Sequence, residues 1–145
     1  RLGSGNHQVR IWRASLMKGV LFLCIHNSGR SQMAAGFMRH LGAGRVTVYS
    51  AGSEPANSIN PSAVAVMNEV GIDIASAQPQ LWTMEMLEAV DVVVTMGCGD
   101  ACPFLPGKTY VDWPLDDPAG QGVDAVRPIR DKIQQLVEDL LAQIV

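Results

Sequence analysis

From Gly19 onward the chain switches between two hydrophobic periods. Val20–Cys24 is an unbroken apolar run, the pattern of a strand buried on both faces. Between Ser31 and Leu41 the apolar residues Met33, Phe37 and Leu41 recur every fourth position, which predicts an amphipathic helix that Ser31 is suited to start. Val46–Ala51 is β-branched and strand-like, and Asn60-Pro61 reads as a helix cap followed by proline at the first helical position. Ala63, Met67 and Val70 line one face of that helix and Gly71 closes it. A weaker helix is expected from Thr83 to Ala89, then a second buried strand at Asp91–Met96. Residues 97–107 (GCGDACPFLPG) read as loop, Lys108–Asp112 as a short strand and Trp113–Val123 as a Pro/Gly/Asp-rich loop. The last helix carries Ile129, Ile133, Leu136, Val137, Leu140, Leu141 and Ile144 as one stripe. Strands alternating with helices predict an α/β fold whose parallel sheet is covered on both faces. Such sheets bind ligands at the carboxyl ends of their strands, at a topological switch point.

The first sixteen residues, RLGSGNHQVRIWRASL, carry no sustained period and no apolar core of a signal peptide. They are expected to be a tag or a flexible N-terminal extension, with the folded domain at 17–145. A chain of 145 residues is one domain's worth, and 48% hydrophobic with 17% charged residues is an ordinary globular balance. A net charge of −3 without any Lys/Arg run argues against a nucleic-acid partner. No apolar stretch approaches ~18 residues, so no membrane span is expected. Three cysteines, an odd number in a chain that needs no disulfide framework, point to a reducing compartment, the cytoplasm, and to a thiol kept for chemistry.

That thiol is expected directly after the first strand, in Cys24-Ile25-His26-Asn27-Ser28-Gly29-Arg30-Ser31. A cysteine at a strand end, facing a helix N-terminus and an arginine, sits where the thiolate is favoured. Residues 25–30 can turn their N–H groups inward as an anion-binding nest, reinforced by the helix dipole. Arg30 offers a planar fork that matches two oxygens of a tetrahedral oxyanion. Ser31 can donate to the thiolate, cap the helix, or do both. An isolated cysteine ending a strand is ordinarily a small buried hydrophobe. Here the assembled strand, Cys-x5-Arg-Ser loop and helix argue for chemistry instead.

Cys-x5-Arg-Ser near the start, with Asp-Pro late in the chain, resembles the low-molecular-weight protein tyrosine phosphatase family, and most closely the bacterial arsenate reductases built on that fold. The stretches carrying the likeness are SQMAAGFMRHLG after the loop, VYSAG at 48–52, NPSAVAVMNEVGIDI at 60–74, DVVVTM at 91–96 and LDDPAG at 115–120. The resemblance implies a three-layer αβα fold with a central four-stranded parallel sheet. It also implies Cys24 as nucleophile, Arg30 as the anion's holder, the loop N–H groups on the non-leaving oxygens, and Ser31 on the thiolate. Asp117, directly before Pro118, corresponds to the acid that protonates the leaving oxygen. Asp116 and Asp112 are expected to be structural.

Phosphatase and reductase share this constellation. Phosphatases of the family acting on phosphotyrosine tend to carry aromatics after the Asp-Pro, where this chain has Ala119-Gly120-Gln121-Gly122. The expectation is therefore arsenate reduction, with a low-molecular-weight phosphotyrosine phosphatase as the alternative and a non-catalytic oxyanion-binding protein as a rival of another class. In one reductase branch two cysteines after the VVT strand relay electrons to thioredoxin. Here Cys102 matches the second, Gly97 falls where the first would stand, and Cys98 comes one residue late. Gly29 replaces a frequent loop cysteine, and Ala35 replaces a glutamate that helps hold potassium in that branch. The resemblance then leans towards reductases using an external thiol: mycothiol as co-substrate, with a mycoredoxin or glutaredoxin-like partner, and no tightly bound cofactor. For Cys98 and Cys102 three readings stand: inert thiols, a local disulfide, or a thioredoxin-coupled relay. No histidine pair stands at ligand spacing, so no metal site is expected. Asn27 suits a left-handed backbone position in the loop. The His26 ring is expected to point away, His40 to be solvated, and Met33, Met67, Trp82 and Trp113 to pack.

Overall fold

The computed structural model describes residues 18–98 and 102–145. The reading of residues 1–16 as an extension falls outside the described residues. Four strands, β1 (Lys18–Cys24), β2 (Val46–Gly52), β3 (Val92–Thr95) and β4 (Thr109–Asp112), form one sheet in the order β2-β1-β3-β4. Every pairing in it is parallel. The helices are α1 (Arg30–Gly42), α2 (Pro61–Glu69), α3 (Met84–Ala89) and α4 (Val123–Ile144).

The continuous apolar run of β1 has the physical basis expected of it, since both faces of the strand are covered. Val20, Phe22 and Cys24 join one apolar cluster, with α1, α2 and α4. Leu21 and Leu23 join another, with Leu87 of α3 and Val93 of β3. The result is the three-layer αβα arrangement around a four-stranded parallel sheet. Its first layer is thick, because Met33 and Phe37 of α1, Met67 of α2 and Ile133 and Val137 of α4 all bury completely or nearly so. Trp113 packs its ring 5.8 Å from that of Phe22, and Met33 and Met67 are core filler.

Helix boundaries follow local chemistry. Asn60 Oδ1 accepts from the N–H of Ser62 at 2.8 Å and of Ala63 at 3.3 Å, and Pro61 opens the helix behind that cap. Gly71, at φ +81, follows the end of α2. Thr83 caps α3 through Met86 N–H at 3.2 Å. One expectation changes: α1 begins at Arg30, capped by Gly29 without a side-chain bond, so Ser31 lies inside the first turn. Its hydroxyl is engaged elsewhere, as described below. Helix α4 also starts earlier than the stripe from Ile129 implied and runs across Pro128. Among the described residues, no helix is long and apolar enough to cross a membrane.

The crossover from β1 to β2 runs one way along the sheet and the crossover from β2 to β3 runs back past β1, so the carboxyl ends of β1 and β3 flank the switch point. Cys24 ends β1, and Thr95-Met96-Gly97 leave β3 beside it.

Candidate active site

The loop from Cys24 to Arg30 is held by its carbonyls. Ile25 O accepts from Glu54 N–H at 2.8 Å, His26 O from Ala56 N–H at 2.9 Å and Ser28 O from Asn60 N–H at 2.8 Å. Asn27 O accepts from Gln32 Nε2 at 3.1 Å. In a trans peptide the C=O and the next N–H point opposite ways. Four carbonyls turned outward therefore turn the N–H groups of His26 to Gly29 towards the inner side, where Cys24 and Arg30 lie. Asn27 makes this curvature possible at φ +50, the left-handed conformation its side chain tolerates.

Cys24 Sγ lies 2.9 Å from Ser31 Oγ, and Asn27 Nδ2 donates to the same Oγ at 2.7 Å. Cys24, Asn27 and Ser31 are all buried, as is Arg30 at 7% exposure. Arg30 Nη2 stands 3.7 Å from Asp117 Oδ2. The other carboxylate oxygen, Asp117 Oδ1, accepts from Ala119 N–H at 3.0 Å, and Asp117 O accepts from Gln121 Nε2 at 3.0 Å. One oxygen is thus tied to its own loop while the other faces the arginine. Asp116 is exposed and lines a separate recess with Pro128 and Lys132. Asp112 accepts from Thr95 Oγ1 at 2.7 Å, a structural task.

Cys24, His26, Ser28, Arg30, Asn60 and Asp117 surround a recess of about 10 Å³, floored by the cysteine and closed on one side by Pro118 and Ala119. Among the described residues, no Phe, Tyr or Trp side chain lines it. The exposed His26 ring bonds through Nδ1 to Glu54 O at 2.9 Å, so it braces the rim. Asn60 joins three pieces of the site: it caps α2, bonds Ser28 O, and donates from Nδ2 to Pro118 O at 3.2 Å.

Gly97 and Gly29, where the resemblance to the relay branch would place cysteines, both sit in crowded positions. A Cβ at Gly97, which sits at φ +86, would come within 2.6 Å of Arg30 Nη1. A Cβ at Gly29 would come within 2.6 Å of Pro118 Cγ. Arg30 and Pro118 occupy the space that side chains at those positions need. Cys98, one residue beyond Gly97, is buried in the α3-side cluster and forms a disulfide with Cys102, with Cα atoms 5.5 Å apart. Cys24 is the free cysteine. Ala35 is fully buried in the core and has no side-chain oxygen.

Sequence reasoning placed Cys24, Arg30, Ser31 and Asp117 as site candidates, and the structure brings all four together. It missed Gln32, Gln80 and the bridging part of Asn60. Gln32 Nε2 and the Gln80 backbone N–H both donate to Asn27 Oδ1, at 3.1 and 2.9 Å. The available signal was a glutamine inside an otherwise apolar buried helix face.

A sequence profile of the low molecular weight phosphotyrosine protein phosphatase family matches residues 19–145. The chain is 40% identical over 131 residues to a glutaredoxin arsenate reductase of Synechocystis, covering 88% of this chain and 99% of that one. A solved structure titled an arsenate reductase in the phosphate binding state superposes with a TM-score of 0.78 at 39% identity, covering 89% of this chain and all of that one (100%). A thioredoxin-dependent arsenate reductase of Corynebacterium glutamicum gives a TM-score of 0.78 at 39% identity over 88% of this chain; the match spans 62% of that longer chain.

Proposed function

The chain belongs to the low molecular weight phosphotyrosine protein phosphatase family, and from that premise we infer that it is an arsenate reductase. The observation that carries the reading is the recess itself. Cysteine, arginine and inward N–H groups converge on a space lined by Pro118 and Ala119, with no Phe, Tyr or Trp among the described residues to flank a phosphotyrosine. A small naked oxyanion needs no such wall.

In the first step the Cys24 thiolate attacks the arsenic of arsenate. The S–As bond forms as an As–O bond breaks, and the leaving oxygen takes a proton from Asp117 to depart as water. Arg30 and the N–H groups of His26 to Gly29 hold the remaining oxygens, whose charge they match. Ser31 donates to the sulfur before attack and after release. Arsenic is still pentavalent in this adduct. A low-molecular-weight thiol, mycothiol in our reading, then attacks arsenic and frees Cys24. A thiol of a mycoredoxin or glutaredoxin-like protein next attacks the conjugate's sulfur. The S–As electron pair stays on arsenic, which leaves as arsenite, and the two sulfurs form a mixed disulfide. The external thiol is favoured by Arg30 lying against Gly97, by the absence of a loop cysteine at Gly29, and by Cys98 lying in a cluster separate from that of Cys24. This chemistry runs in a reducing compartment, which we take to be the cytoplasm.

A second reading rests on the Cys98–Cys102 pair: a thioredoxin-coupled relay through those sulfurs. Arsenite formation by wild type, Cys98→Ser and Cys102→Ser, with mycothiol and mycoredoxin or with thioredoxin, separates the two. Full activity of both variants with mycothiol supports the external thiol, while activity with thioredoxin alone that either substitution removes supports the relay. High phosphotyrosine hydrolysis with no arsenite from any thiol system would overturn both.

A further inference from the structure

Gln32, in the first turn of α1, is a polar side chain only 2% exposed, and the mechanism above gives it no task. Its Nε2 donates to Asn27 O and Asn27 Oδ1, both at 3.1 Å, with a longer contact to Gln78 O at 3.4 Å. Asn27 Oδ1 also accepts from Gln80 N–H at 2.9 Å. An amide whose oxygen is held by two donors can offer only its nitrogen elsewhere, and Asn27 Nδ2 goes to Ser31 Oγ at 2.7 Å. A hydroxyl that receives a hydrogen there keeps its own for its other partner, Cys24 Sγ at 2.9 Å. Reversing the Asn27 amide would put its oxygen against Ser31, draw the hydroxyl hydrogen away from sulfur, and set Nδ2 against two donors. The direction of every bond in the chain thus follows from the two donors on Asn27 Oδ1.

We propose that Gln32 is a positioning residue for the nucleophile: with the Gln80 N–H it fixes the sense of the Gln32–Asn27–Ser31–Cys24 chain and keeps a hydrogen-bond donor on the Cys24 sulfur. The proposal rests on the reading of Cys24 as nucleophile. Other charged or titratable groups around the sulfur come from the recess: Arg30 with its partner Asp117, and His26 on the rim. The flanking strands bring Gly52 of β2 opposite Cys24 and Thr95 of β3 opposite Leu23, neither of which titrates near neutrality. Gln32 has no hydrogen bond to any of these groups, so its influence runs through Asn27 and Ser31.

Alkylation of Cys24 by iodoacetamide, followed by mass spectrometry of the whole chain, reads sulfur reactivity without arsenate or a redoxin. Rates are compared from about pH 5 to about pH 9 for wild type, Gln32→Met, Ser31→Ala and the double variant. Each single variant should react about five-fold more slowly at the acid end, the worth of one ordinary hydrogen bond, and converge on wild type at the alkaline end. The double variant should be no slower than Ser31→Ala alone, because the two act in one chain. An unchanged profile for Gln32→Met, a loss uniform in pH, or a double variant showing the product of both losses overturns the proposal. If Gln32→Met does not fold, Asn27→Asp keeps the size and tolerates the left-handed backbone while presenting an acceptor to Ser31. The same acid-end loss is expected there, and wild-type reactivity overturns the proposal. Failure of arsenite formation with normal alkylation losses would strike the functional reading and leave Gln32's role standing. Arsenite formation with unchanged alkylation would do the reverse.

Discussion

At Gly97 a hydrogen stands where any side chain would meet the Arg30 guanidinium, so this one residue sets how the anion's holder lies. Gly97→Ala is expected to lower kcat/KM for arsenate by roughly a hundred-fold, the scale of a small misplacement of a binding group. Gly107, at φ +93 with nothing within 4 Å, is the matching control. Gly107→Ala carries only the left-handed backbone cost of about 1–2 kcal/mol, visible as a lower Tm with kcat/KM unchanged. Equal kinetic losses in the two variants would mean that backbone strain, not the arginine, is responsible. The carboxylates make a second contrast. Asp117→Asn should lower kcat by about 10²–10⁴-fold, the range of general acid catalysis, because Oδ2 faces Arg30 across the recess. Asp116→Asn, in the separate recess, should leave arsenite production near wild type. The chemistry of these residues was legible in order along the chain: a thiol, an arginine six positions on, an acid before proline. The orientation of Arg30 was not, because it depends on Gly97, which is 67 positions away and meets it only when β3 pairs with β1.

At the scale of elements, α2 acts through its N-terminus. Asn60 caps it with Oδ1 and holds the acid loop with Nδ2, two tasks that substitution can separate. Asn60→Ala should cost about 1 kcal/mol from the lost cap and also raise KM for arsenate as Pro118 loosens. Asn60→Asp keeps an acceptor for Ser62 and Ala63 N–H and should recover the stability without recovering KM. Thermal unfolding and steady-state kinetics on both variants check this; equal KM values for Asn60→Asp and wild type would remove Asn60 from the acid loop. The cap was readable from Asn60-Pro61 because capping is local. The bond to Pro118, 58 residues away, was not. Of the two tasks open to Ser31, capping and the bond to sulfur, the structure keeps the second, with Asn27 on the same hydroxyl.

At the scale of the whole molecule, the face of the sheet under α1, α2 and α4 is closed at its far end by ion pairs between α2 and α4. Glu69 receives Arg127 at 2.7 Å and Arg130 at 2.7 Å, and Arg130 also donates to Val66 O at 2.9 Å. The hydrogen bonds from Arg127, with those of Arg130, hold the Glu69 carboxyl down at about 2, against an ordinary 4.5, despite the opposing effect of desolvation. A carboxyl depressed on folding stabilises the folded state fully above its unfolded value and loses that contribution as pH falls through the folded one. The Glu69 contribution is therefore present above about pH 4.5 and disappears towards about pH 2. Glu69→Gln should lower stability at neutral pH and flatten the acid limb of a stability-against-pH curve between those limits. A variant curve parallel to wild type down to pH 2 would show that the cluster does not respond to acid in this way.

The sequence by itself determined the α/β alternation, the buried character of β1, the cap of α2, and the chemistry offered by Cys24, Arg30, Ser31 and Asp117. Periodicity, capping and residue type are local properties, and a chain displays them before it folds. Only the tertiary structure decided how that chemistry is aimed. The parallel order β2-β1-β3-β4 brings Gly97 under Arg30, Pro118 against Gly29 and Gln80 onto Asn27. Each of these contacts joins residues separated by more than 50 positions, and steric fit and hydrogen-bond direction between such residues exist only once the chain has brought them together.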